Sequence, residues 1–207
     1  VNDFSAMARS APELSGDALH PISPGKAAPN ASLAIGGPGT GFGIGVLRRY
    51  PQGWIVVGGE GGHQAFAPQT DIEWKLAERL RQALGYVSNE IVAAGAGFEP
   101  SLDAFAGVMG VKPPKLKQAE VIELAKAGDA LALEFCRLRA RTVMTAMGNT
   151  ALAAGATGGV FIAGGVSVRL EPWLKEKSAL ERFYSRGPRT DLMRPIPISL
   201  IVSEEAP

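Results

Sequence analysis

Gly58-Gly59-Glu60-Gly61-Gly62-His63 places a carboxylate and an imidazole three residues apart in a backbone almost bare of side chains. Glycines let the main chain approach a ligand closely. A carboxylate there can accept hydrogen bonds from two hydroxyls, and a neutral imidazole can donate to or accept from a third. Upstream, Gly36-Gly37-Pro38-Gly39-Thr40-Gly41-Phe42-Gly43 follows a short apolar strand. Such a turn can aim backbone N–H groups, Gly39, Thr40 and Gly41 among them, at a phosphate. Together the two segments point to a polyhydroxylated ligand beside a phosphate donor, the layout of a small-molecule kinase. Each segment alone also fits a tight glycine-rich hairpin.

Two familiar phosphate motifs are excluded. No Lys-Ser/Thr follows the turn, so it is not a P-loop. The next segment, Ile44–Tyr50, reads as a strand, so the turn is not a dinucleotide fingerprint, which opens a helix. Gly164-Gly165, after the apolar run Val160–Ala163, can let a nucleotide lie against backbone, and close strand–helix packing explains it equally well. Glu90 by itself is an ordinary surface carboxylate, and Asn2-Asp3 before a helix reads as a cap. One histidine and one glutamate are too few ligands for a metal site.

These residues need elements to hold them. Phe4–Ala11 reads as a helix and Pro12 to Pro29 as a Pro/Gly-rich connection. Ala31–Ile35 is a short strand, and Ile44–Tyr50 with Trp54–Val57 forms a hairpin about Pro51-Gln52-Gly53. Thr70-Asp71-Ile72-Glu73 fits a capping box. It opens a helix with Ile72, Leu76, Leu80 and Leu84 on one face, stopped by Gly85. Ser88-Asn89-Glu90 is a helix start or a strand edge. Leu102–Met109 and Gln118–Ala127 are helical, separated by the break at Lys112-Pro113-Pro114. Asp129 caps a long helix from Ala130 to about Ala154, whose Met144 and Met147 read as core. Val160–Ala163 is a buried strand, Glu171–Tyr184 a helix, and Ile198–Val202 a final strand. The class is mixed α and β, a sheet covered by helices.

The 207 residues suffice for one sizeable core. With 21 basic and 20 acidic residues the net charge is +1, which offers no footprint for nucleic acid. The single cysteine, Cys136, rules out an internal disulfide framework and a Cys-rich zinc site, and reads as a buried structural thiol. No apolar run reaches the ~20 residues of a membrane span, and no signal peptide is recognised, so the expectation is a soluble, cytoplasmic protein without nucleic-acid or membrane partners.

Several segments resemble, in order, the bacterial glucokinase family of the sugar kinase/actin-like ATPase superfold: Asn2-Asp3-Phe4, Gly36–Gly43, Gly58–His63 with Phe66-Ala67-Pro68, Tyr86-Val87-Ser88-Asn89-Glu90, and Val160–Val166. The resemblance runs from Asn2 to Pro207. It implies a ribonuclease H-like, actin-like ATPase large domain with a central mixed sheet covered by helices. It also implies ATP-dependent phosphorylation of glucose at the 6-hydroxyl. Asp3 matches the catalytic base, and Asn2, Glu60, His63 and Glu90 match the sugar-binding residues. Gly39, Thr40 and Gly41 match a phosphate segment, and Gly164 and Gly165 the adenosine segment. Magnesium would enter with ATP, with no metal cage in the protein. A homodimer is implied by resemblance alone.

The related repressor/ORF/kinase proteins add a Cys-rich zinc site after Glu-x-Gly-His, which a chain with one cysteine lacks. The family's Asp-x-Gly-Gly-Thr segment, small N-terminal domain and returning C-terminal helix are also absent. The expectation is therefore one domain over 1–207, the large sugar-binding domain, with weak sugar binding and no competent catalysis by itself. Gln64-Ala65 and Ala93-Ala94-Gly95-Ala96-Gly97 depart from common family choices, which bears on sugar preference. The alternatives are a sugar-binding regulatory module and a kinase for another hexose on the same scaffold.

Overall fold

The structure is a computed structural model and describes residues 8–202. Six strands form one mixed sheet: β1 Leu19–Ser23, β2 Leu33–Pro38, β3 Phe42–Tyr50, β4 Gly53–Gly59, β5 Gly159–Ile162 and β6 Ile198–Ile201, in the order β1-β6-β5-β2-β3-β4. The β2-β3 and β3-β4 pairs are antiparallel hairpins, while β5 runs parallel to both β2 and β6. The helices are α1 Asp71–Leu84, α2 Asn89–Ala93, α3 Phe98–Val108, α4 Gln118–Lys126, α5 Ala130–Ala154, α6 Gly165–Arg169, α7 Glu171–Leu174, α8 Lys177–Tyr184 and α9 Thr190–Met193.

Alternation along the strands divides the core. Ala34, Ile44, Val160, Ile162, Ile198 and Leu200 face the main cluster, in which the 25-residue α5 is the central column. Leu33, Ile35, Leu47 and Ile201 face the opposite side, where Ala8 and Ala11 cover them. The Asp129 carboxylate accepts from the Ala132 N–H at 2.9 Å to start α5, and Gly155, at φ +60°, ends it in the left-handed conformation. Met144, Met147 and Cys136 are all fully buried in it. Burial pushes the Cys136 thiol up to about 12.

Three expectations need correction. The connection from Pro12 to Pro29 contains strand β1, which pairs antiparallel with β6 at the sheet edge. Pro21 hides this strand in the sequence, because proline is tolerated only on edges and at irregularities, and the β1 register shifts between Pro21 and Ser23. The helix expected over Glu171–Tyr184 is two helices, because Glu176 is extended at φ −66°, ψ 145°. There its carboxylate accepts from Arg137 Nε at 2.9 Å, a tertiary contact that overrides local helix preference. On α1, Leu76 and Leu80 are buried but Ile72 and Leu84 are exposed. Of the helix expected over Phe4–Ala11, the part before Ala8 lies outside the described residues.

The expected capping box is also altered. Thr70 Oγ1 accepts from the Glu73 N–H at 3.3 Å, as anticipated. The Glu73 carboxylate reaches one residue further back, to the Gln69 N–H at 2.8 Å. Its oxygens also accept from Arg141 and Arg182, which ties α1 to α5 and α8. Among the described residues no helix is long and apolar enough to cross a membrane.

Candidate active site

The glycine-rich turn is the tip of the β2-β3 hairpin. β2 runs through Pro38 and β3 resumes at Phe42, so Gly39, Thr40 and Gly41 alone form the loop, closed by the Gly39 N–H donating to the Gly41 carbonyl at 2.8 Å. β4 ends at Gly59, and a 3-10 turn, Gly61–His63, brings the chain back across the start of β3. A Cβ on Gly62 would collide with the Phe42 carbonyl oxygen, so only glycine permits this crossing.

Glu90 links the two segments. The Ser88 hydroxyl accepts from the Ile91 N–H at 3.2 Å and starts α2, which puts Glu90 in the helix's first turn. The strand-edge reading of Ser88 holds as well, since it also makes an isolated bridge with Ala65. Glu90 Oε2 accepts from the Phe42 N–H at 2.8 Å and lies where a Cβ on Gly41 would come within 2.9 Å. Glu90 Oε1 lies 3.8 Å from His63 Nε2, and Glu60 Oε2 lies 3.9 Å from the same nitrogen. His63 thus stands between two carboxylates, each beyond direct hydrogen-bond distance. Glu60 is 90% exposed, His63 57% and Glu90 20%, a gradient from open solvent to the base of the turn.

The second glycine pair lies at the same place. Gly164 follows β5 at φ +93°, and a Cβ there would stand 2.5 Å from the Pro38 carbonyl oxygen and 3.0 Å from the Gly39 nitrogen. Gly39 and Gly165 face open space instead, with nothing within 4 Å of a built Cβ. The Cα faces of Gly39 and Gly165 are therefore unhindered, at the turn and at the start of α6, while the Gly39 N–H that the sequence offered to a phosphate is taken up by the Gly41 carbonyl. The structure brings Glu60, His63, Glu90, Gly39, Thr40, Gly41, Gly164 and Gly165 into one neighbourhood. Asn2 and Asp3 lie outside the described residues.

Two contacts escaped the sequence reading. Tyr86 Oη donates to the His63 carbonyl at 2.8 Å and braces the 3-10 turn. The 95–96 backbone holds the hairpin tip, the Gly95 N–H donating to Gly39 O at 2.9 Å and the Ala96 N–H to Thr40 O at 2.8 Å. Only the position of Tyr86, four residues before Glu90, hints at the first. A groove of about 440 Å³ opens beside Glu60, lined by Ile44, Val46, Val57, Gln64 and Thr150. His63, Glu90 and the 39–41 turn do not line it, so it is not the space in which they meet.

A sequence model of glucokinase matches residues 1–207. The chain belongs to the glucokinase family. It is 35% identical to a glucokinase of Nitrobacter hamburgensis over 208 residues, covering 100% of this chain and 65% of that protein. It is 34% identical to a glucokinase of Chromobacterium violaceum, covering 98% of this chain and 59% of that protein. The crystal structure of a glucokinase from an Antarctic psychrotroph superposes on it with a TM-score of 0.91 at 35% identity, covering 100% of this chain and 64% of that one. The chain therefore spans less than two thirds of the length of these glucokinases. Their fold is the actin-like ATPase class expected from the sequence, a mixed sheet flanked by helices.

Proposed function

We propose that this chain is the large, sugar-binding domain of an enzyme that transfers the γ-phosphoryl group of ATP to the 6-hydroxyl of glucose. The observation that carries this reading is the joining of Glu90 to the hairpin tip. One carboxylate oxygen is tied to the Phe42 N–H while the other faces His63, at the base of the Gly39–Gly41 turn. Residues suited to sugar hydroxyls and backbone suited to phosphates are thereby set side by side. Membership of the glucokinase family supports the choice of substrates.

In this proposal Glu60, His63 and Glu90, with Asn2, hold the sugar hydroxyls. A carboxylate with two acceptor oxygens and an imidazole with one donor and one acceptor can pair several ring hydroxyls at once. The Gly39, Thr40 and Gly41 turn presents main chain to the phosphates of ATP, through N–H groups other than that of Gly39, which closes the loop on the Gly41 carbonyl, and Gly164 and Gly165 present theirs to its adenosine part. Asp3 takes the proton from the 6-hydroxyl as that oxygen bonds to the γ-phosphorus and the bond to the ADP oxygen breaks. Among the described residues no three His, Cys, Asp or Glu side chains cluster as metal ligands. Magnesium arriving with ATP neutralises phosphate charge and needs few protein ligands. A cytoplasmic location and a homodimer belong to the same proposal, the latter tested by light scattering.

Calorimetric titration of the chain with glucose tests the reading, with galactose as control and with MgATP present or absent. Glucose is expected to bind selectively, and Glu90→Ala to weaken it by about tenfold or more, the effect of removing a charged hydrogen-bonding partner. No heat with glucose, or binding untouched by Glu90→Ala, would overturn it.

A further inference from the structure

Arg139 is the largest fully buried side chain among the described residues, with none of its surface exposed. It sits near the middle of α5 and makes no ion pair with a carboxylate among the described residues. Its guanidinium donates to backbone carbonyls instead: Nη2 to Ala93 O at 2.8 Å, Nε to the same oxygen at 3.2 Å, and Nη2 to Ala94 O at 3.4 Å. The rings of Phe98 and Phe135 lie 5.5 and 5.7 Å from it. With its amide oxygen turned inward, Gln118 accepts from Nη2 and Nη1 at 3.1 and 3.2 Å. Burial draws the guanidinium down to about 10, which leaves it charged at neutral pH.

A buried cation without a counter-charge is costly, and an apolar side chain of similar volume would serve the core better. What the arginine does is hold two carbonyls. α2 is only five residues long, and the carbonyls at its end have no intrahelical partner. The next two residues are those whose N–H groups hold the hairpin tip, Gly95 to Gly39 O and Ala96 to Thr40 O. Glu90, which accepts from the Phe42 N–H, lies one helical turn before the held carbonyls. The 90–96 segment therefore touches the hairpin at both ends and is anchored in its middle by one guanidinium.

We propose that Arg139 is a positioning residue, which fixes the 93–96 segment and through it aligns Glu90 with the Gly39–Gly41 turn. That these groups bind sugar and nucleotide rests on the function proposed above. The alignment itself does not.

The test is amide hydrogen exchange on the chain carrying Arg139→Met, beside titrations with glucose and with MgATP. Loss of the two carbonyl anchors is expected to speed exchange at Gly95 and Ala96 by about tenfold, while α8 and β6 keep their protection. Glucose and MgATP affinities should fall together. Arg139→Lys, with one donor reaching Ala93 O, should give an intermediate effect at the same two amides. Unchanged exchange at Gly95 and Ala96 in a folded variant would overturn the proposal. So would a uniform rise along the whole chain, which is the mark of a merely structural side chain. Should Arg139→Met fail to fold, Gln118→Ala frees one face of the guanidinium from outside the core. A local rise of about threefold at Gly95 and Ala96 is then expected, and its absence refutes the idea. If the unaltered chain binds neither ligand, the function fails and the exchange experiment still decides the role of Arg139.

Discussion

Among the described residues Glu73 is a buried carboxylate that accepts from three separate partners, and replacing it with glutamine should show how α1, α5 and α8 are joined. The residue is 1% exposed. It accepts from the Gln69 N–H at 2.8 Å, from Arg141 Nε at 3.0 Å and from Arg182 Nη2 at 2.6 Å. The side chains of Arg141 and Arg182 are themselves 14% and 9% exposed. Arg186 adds a further positive charge nearby, its guanidinium lowered by burial and by Arg182. Glu73→Gln keeps the shape and one acceptor oxygen, but leaves two largely buried guanidinium groups without a counter-charge. Breaking a buried pair in this way costs about 3–5 kcal/mol. The retained amide oxygen places the expectation near the lower limit, about 3 kcal/mol. For a chain of this size that is a fall in Tm of about 6–12 °C.

The pH dependence supplies a second check. Burial raises the Glu73 carboxyl, but the Gln69 N–H, Arg182 and Arg141 together outweigh it and the net shift is below the ordinary 4.5. A carboxyl lowered in the folded state contributes stability above its unfolded value, and the contribution disappears as pH falls through the folded value. Urea unfolding of the two proteins should therefore differ by the full amount at neutral pH, and the gap should narrow only in acid below about 4.5. A difference under about 1 kcal/mol at neutral pH, typical of an exposed pair, would refute the reasoning. A gap that did not narrow in strong acid would also refute it, since the lost interaction would not be that of an ionised carboxylate.

Other expectations are quicker to check. Gly164→Ala should lower stability by about 1–3 kcal/mol, because a Cβ at φ +93° would press on the Pro38 carbonyl; chemical unfolding measures it. Gly39→Ala has open space at its Cβ, so its melting temperature should stay within about 2 °C of the original while its affinity for MgATP falls in calorimetry. Cys136, fully buried and with its thiol pushed up to about 12, should resist iodoacetamide at mildly alkaline pH until urea unfolds the chain. Tyr86→Phe removes one bond to the His63 carbonyl and should weaken glucose binding by about threefold to tenfold without altering the fold.

Local signals made the framework legible. The β3-β4 hairpin, the Asp129 cap of α5 and the Gly85 stop of α1 all depend on neighbours within a few residues, and sequence carries such information directly. β1 and the break at Glu176 do not. A strand containing proline is stable only against its partner β6, and the break answers to Arg137, 39 residues away. The candidate site divides along the same line. Gly58–His63 and the hairpin tip stand out as motifs, whereas the bond from the Phe42 N–H to Glu90 spans 48 residues and leaves no local trace.

Arg139 is the instructive case, because it did leave a trace. It lies four residues after Phe135 and four before Val143, both fully buried, so it occupies the apolar stripe of α5, where a charge is out of place. A helix tolerates such a residue only if something across the interface needs several donors in a fixed plane. Here that need is the pair of carbonyls at the end of α2 that lack an intrahelical partner, one residue before the amides that grip the Gly39–Gly41 turn. An arginine at a core position thus marks where irregular backbone enters the interior, and in this chain that backbone joins the two halves of the candidate site.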